Sequence, residues 1–183
     1  AMHGASVQVL GINEVATLDT GIAALAHCEN QTVFDQRLVE LLPNLQAGEY
    51  LILHANYNNN FAAQSDHSLN VSEAQAKAFA DKGVTLLFAH EHQARTALGG
   101  KVICMGNQWP TSISDCLGND EKYAHVLTIG DDMHTAEFGT LTTWRTADTE
   151  TGFARVDWRD LASCTYRGFI RVTGEAEATE ASE

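Results

Sequence analysis

The sequence predicts an α/β fold of layered β-sheets, a β-sandwich flanked by helices. Two observations carry that reading. Short apolar runs such as Tyr50-Leu51-Ile52-Leu53 and Val84-Thr85-Leu86-Leu87-Phe88 have the length of buried strands, and segments with helical apolar spacing separate them. Strand and helix patterns that alternate in this way pack helices outside a sheet.

Taken in order, Val7-Gln8-Val9-Leu10 reads as a first strand and residues 22–26 as a second. Thr32-x-x-Asp35 is a variant capping box, and Phe34, Leu38, Leu41, Leu42 and Leu45 follow it at helical spacing. Pro43 falls late in that pattern, where it ends or distorts the helix. Gly48 leads into the strand at 50–53, which delivers His54. Residues 55–70 are polar and asparagine-rich, hence a loop. Ser72-x-x-Gln75 is a capping box for a second helix carrying Ala74, Ala76, Ala78 and Phe79, with Gly83 as its stop. The strand at 84–88 precedes His90-Glu91-His92, and Gly99-Gly100 turns into a strand at 101–105. Further strands are expected at 125–129, 135–138 and 141–144. The segment 147–152 is polar and threonine-rich. It sets the expected organisation: a main domain over 1–146, a short unit over 147–175 and an acidic tail over 176–183.

Composition narrows the function. With 44% hydrophobic residues and 2 prolines in 183 residues, the chain can bury a real core. No apolar stretch approaches the roughly 20 residues that span a bilayer, and the start lacks the pattern of a signal peptide. Cys28, Cys104, Cys116 and Cys164 are scattered without Cys-x-x-Cys spacing, which points to reduced thiols, a cytoplasmic setting and no structural zinc site. The formal charge of -13 disfavours nonspecific adhesion to nucleic acid or anionic membrane. Dense carboxylates can nevertheless hold cations, and Arg155, Arg159, Arg167 and Arg171 make 153–172 the most basic stretch, a local surface on which DNA could lie.

His54 and His90-Glu91-His92 carry the chemistry, because each follows a buried strand, where open α/β sheets place their ligands. Histidines at i and i+2 on a strand would face opposite ways, but on the following loop they can flank two neighbouring metal positions about 3.5–4 Å apart. Imidazole suits manganese, iron, zinc or nickel. The alternative is a pair of ordinary loop histidines, which the bare spacing favours; the strand before His90 and His54 after another strand bring the two readings near balance.

Leu87-Phe88-Ala89-His90-Glu91-His92 resembles the Gly-His-x-His motif of calcineurin-like metallophosphoesterases, and Leu51-Ile52-Leu53-His54 resembles their upstream single-histidine motif. Together with Met105-Gly106-Asn107-Gln108-Trp109-Pro110-Thr111-Ser112, the ordered set is most similar to SbcD-type DNA repair exonucleases, over most of 48–145. Residues 150–175 look like the start of the capping region in such nucleases. The resemblance implies a two-metal manganese centre in which His54 and His90 bind one ion and His92 the other. Asn107, Thr111 and Ser112 would then orient ligands or substrate. It also implies DNA as substrate, an SbcC-type ATPase as partner, and a homodimer.

Two departures stand out. Ala89 occupies the motif's glycine position, and the sequence contains no Asp-x-His, Gly-Asp-x-x-Asp or Gly-Asn-His-Asp/Glu. The chain therefore resembles the carboxy-terminal portion of such an enzyme. Its rivals are a phosphoesterase acting on small phosphoesters and a non-catalytic scaffold that keeps the fold.

Overall fold

The computed structural model describes residues 9–18, 21–60, 68–109, 111, 122–129, 136–144, 153–163 and 169–174. Their elements are mixed α/β, centred on one six-stranded sheet and two helices. Strands β1 (Val15–Leu18) and β2 (Ile22–Leu25) form an antiparallel hairpin with Leu18 opposite Ile22. Helix α1 (Gln31–Asn44) then crosses to β3 (Tyr50–Leu53), which runs parallel to β2. A short parallel pair, β4 (Asn56–Tyr57) with β5 (Asn70–Val71), precedes helix α2 (Glu73–Asp81) and β6 (Thr85–Phe88). The edge strand β7 (Arg95–Ala97) and a 3-10 turn (Leu98–Gly100) lead to β8 (Val102–Cys104). The sheet order is β1-β2-β3-β6-β8-β7, with β2, β3, β6 and β8 mutually parallel.

Strand periodicity decides what each face of this sheet meets. Ala23, Leu25, Leu51, Leu53, Leu86, Phe88, Val102 and Cys104 alternate onto one face and are buried with Phe34, Leu38, Leu41, Ala76 and Phe79 of the two helices. Each β-α-β step moves to the next strand in the same direction, and right-handed crossovers of that kind place successive helices on one side. Ile22, Ala24, Ile52 and Ile103 on the opposite face stay half-buried.

Helix α2 starts on the predicted box: the Ser72 side chain accepts from Gln75 N–H, and the Gln75 side chain accepts from Ser72 N–H at 2.8 Å. It ends at Asp81, and Gly83, at φ +88°, makes the left-handed turn into β6. Helix α1 starts earlier than Thr32-x-x-Asp35 suggests. Asn30 is its cap and accepts from Val33 N–H at 3.0 Å, while Pro43 lies in the last turn. Among the described residues the first strand is Val15–Leu18; of the expected strand at 7–10, Val7 and Gln8 lie outside the described residues. Val9 is 86% exposed and Leu10 lies outside any strand, because the tight hairpin to Ile22 selects the residues just before the turn.

The chain divides into two compact units, 1–107 with 125–141, and 108–124 with 142–183. Strands β9 (Lys122–Ile129) and β10 (Ala136–Trp144) pair with each other, so the expected strands near 135–138 and 141–144 are one. In the second unit β11 (Phe153–Asp157) runs parallel to β12 (Phe169–Thr173), joined through a 3-10 turn (Trp158–Ser163). The expected boundary at 147–152 and the tail at 176–183 lie outside the described residues. No helix among the described residues is long and apolar enough to cross a membrane.

Candidate metal centre

Parallel pairing brings the carboxyl ends of β2, β3 and β6 side by side, and each is followed by a histidine. His54 comes directly after β3, His90 two residues after β6, and His27 two residues after β2. The backbone holds the first two together, since Ala89 N–H donates to Leu53 O at 3.0 Å, one rung beyond the regular ladder. Ala89 does this without a left-handed backbone, so the missing glycine costs the loop nothing here.

His54 Nε2 and His90 Nδ1 stand 3.2 Å apart, with the rings edge to face at 4.9 Å between centroids. Two nitrogens each about 2.0–2.1 Å from one ion, at roughly 90–110°, are separated by about 2.9–3.4 Å. The pair thus has the spacing of cis ligands. The same spacing permits a hydrogen bond when one ring is protonated at the contact and the other is not. Burial, the adjoining His90 and the nearby His27 together push the His54 imidazole below its ordinary 6.5, which favours the neutral ring that binds metals. His27, exposed, lies 6.5 Å from His54 between ring centroids, wider than the ligand-like pair.

His92 is exposed on the loop two residues beyond His90. Its backbone is fixed by the chain after β8: Asn107 N–H donates to His92 O at 3.3 Å, and Gly106, at φ +70°, passes so close that an added Cβ would lie 2.9 Å from Ala94 N. Asn107 is therefore brought to the histidine loop and is half-buried there. Thr111 is exposed and belongs to the second unit, and Ser112 lies outside the described residues. Of the arginines in the basic stretch, Arg155 and Arg171 share one rung of the β11-β12 ladder and Arg159 is exposed, while Arg167 lies outside the described residues.

Among the described residues, no three His, Cys, Asp or Glu side chains form a group that could enclose a metal ion. The donor set is two converging imidazoles, which suits a borderline transition ion and is incomplete by itself.

Sequence reasoning overlooked the charged residue between the histidines. Glu91 accepts from Tyr57 N–H at 2.7 Å and pairs with Arg95 through both carboxylate oxygens, at 2.8 Å each. The hint in the sequence was the i,i+4 spacing of Glu91 and Arg95, whereas Tyr57 could be found only from the fold.

A polar cavity of about 560 Å³ opens where both helices begin, and among the described residues no histidine lines it. Its side chains bond one another. Asp35 accepts from Gln31 and Gln75, both at 2.8 Å, and Gln31 brackets Asn70 through its N–H and C=O. This network ties α1 to α2 and to Asn70 of β5. The chain matches no family model and no curated protein.

Proposed function

We propose that this chain supplies the imidazole half of a metallophosphoesterase-type centre that hydrolyses phosphodiesters. On this reading the protein is a manganese-dependent, cytoplasmic DNA nuclease similar to the SbcD type, with a layered fold of that family. The observation that carries the proposal is the 3.2 Å separation of His54 Nε2 and His90 Nδ1 at the ends of adjacent parallel strands. His54 and His90 would hold one ion and His92 a second, and bound metal would neutralise the phosphodiester and activate water. Around it, Asn107 keeps the His92 loop in place through its N–H, and Asn107, Thr111 and Ser112 would orient the substrate. An SbcC-type ATPase and a second copy of the chain are the proposed partners.

Carboxylate donors in the motifs that complete a two-metal site are absent from this sequence, which favours a scaffold role as the second reading. Calorimetry with Mn2+ on the full chain, beside His54→Ala and His90→Ala, separates the two. Stoichiometric binding lost in both variants supports the metal centre, and no binding above background overturns it. Given binding, cleavage of bis-p-nitrophenyl phosphate without cleavage of DNA would replace the nuclease with a small-phosphoester enzyme.

A further inference from the structure

Glu91 lies between two candidate ligands, yet its side chain is only 12% exposed and turned into the protein. Its Oε1 accepts from Tyr57 N–H and from the Arg95 guanidinium, and its Oε2 accepts from Arg95 Nε. The same guanidinium donates to Tyr57 O at 2.6 Å and sits 5.2 Å from the centre of the Tyr57 ring. Both backbone polar groups of Tyr57 therefore end on one ion pair. Tyr57 is in turn buried, its ring tilted against Phe88 at 5.7 Å. The Cys104 thiol also faces Glu91.

The segments joined in this way are those that carry the two imidazoles. Tyr57 follows His54 by three residues, and Glu91 follows His90 directly. Beyond the rung from Ala89 to Leu53, this ion pair is a second tie between them. We infer that Glu91 is a positioning residue: its carboxylate, clamped by Arg95, fixes the spacing of His54 and His90 through the Tyr57 backbone. As a positioning role for a metal site, the inference rests on the function proposed above, but the ring spacing itself can be read without metal. The geometry suits this role better than ligation, because each carboxylate oxygen already accepts a charge-assisted bond. An apolar residue at 91 would leave the Arg95 Nε–H and the Tyr57 N–H without their acceptor.

The test uses the full chain with Glu91→Ala, Glu91→Gln and Arg95→Met, with far-UV circular dichroism and the core methyl resonances of Leu53 and Leu86 as checks of folding. Without metal, cross-relaxation between the His54 and His90 ring protons is expected to fall severalfold in Glu91→Ala and Arg95→Met. It should largely persist in Glu91→Gln, whose carbonyl can still accept from Tyr57 N–H. With Co2+ as probe, the dissociation constant of Glu91→Ala should rise about 10–100-fold, the range for partners that orient metal ligands. The visible spectrum at saturation should keep its wild-type shape, since no ligand is lost. Unchanged ring contacts in folded Glu91→Ala would overturn the inference. So would an altered saturated spectrum that Glu91→Gln does not restore, which would make Glu91 a ligand. Should the wild type not take up Co2+ while the ring contacts respond as described, the metal reading fails and the positioning role stands. If Glu91→Ala does not fold, Arg95→Met and Glu91→Gln decide by the same ring measurement.

Discussion

Replacing Gly106 by alanine probes how the histidine loop is held. Gly106 has φ +70°, and an added Cβ would lie 2.9 Å from Ala94 N and 3.1 Å from His92 O. The left-handed backbone alone costs a non-glycine residue about 1–2 kcal/mol. The contacts add to this, because both atoms are main chain and cannot swing aside. The loop must retreat, weakening the 3.3 Å bond from Asn107 N–H to His92 O. Losing that bond and its close packing adds about 1–2 kcal/mol, so the total is about 3 kcal/mol. Gly100→Ala is the matched control, since its φ is +88° and nothing lies within 4 Å of its added Cβ. It should lose only the backbone part. Urea denaturation should be followed by far-UV circular dichroism, because Trp109, Trp144 and Trp158 all lie in the second unit. For a slope of about 2 kcal/mol/M, the midpoint should fall about 1.5 M for Gly106→Ala and about half as far for Gly100→Ala. Equal losses in the two variants would refute the close approach of residue 106 to the His92 loop.

Three further outcomes are expected. His54 is held below its ordinary 6.5 in the fold, so the unfolded chain takes up the proton first as the pH falls. Its contribution is therefore present above about pH 6.5 and lost as the pH drops through the folded-state value, and urea midpoints between pH 7.5 and 5 should slope less in His54→Ala. Burial, with Glu91 adding to it, pushes the Cys104 thiol up to about 12, and Cys104 should resist iodoacetamide at pH 8 until urea unfolds the chain, as read by peptide mass spectrometry. Ser72→Ala removes the cap of α2 and should cost about 1 kcal/mol in the same denaturation assay, whereas Ser72→Asp should recover most of it.

The parts of the fold legible in the sequence were those set by local pattern. Residues 50–53 and 84–88 announced strands because β6 is buried at every position and β3 keeps its second face half-buried, so both read as apolar runs, and Ser72-x-x-Gln75 fixed a helix start through its own reciprocal bonds. The edge strand Arg95–Ala97 was hidden, as two of its three residues are exposed and show no apolar period. Asn56 and Asn70 read as loop residues, yet both are buried: Asn56 N–H donates to Leu69 O, the Gln31 side chain takes both backbone groups of Asn70, and the two side-chain amides donate to Ser68 and Asn60. At the candidate site, the types and order of His54 and His90 were visible. Their contact was not, nor was the clamp from Glu91 to Tyr57, 34 positions away, since such distances close only when β3 and β6 pair.

The sheet's strand order has a consequence for how the molecule is made. Ile22 pairs with Tyr50, Tyr50 with Thr85, and Leu86 with Val102, so each parallel strand docks on one that has already left the ribosome. No strand in this series waits for a later one to be inserted between it and its neighbour. As far as β6 the sheet can grow by accretion at a single edge, with each helix sealing the newest rung as it emerges. Strand β7 breaks this order: it precedes β8 in the chain yet lies outside it, pairing antiparallel, so β8 enters between β6 and β7. Arg95, which begins β7, reaches back to Glu91 and Tyr57, so the two imidazole-bearing loops can be tied before β8 completes the sheet.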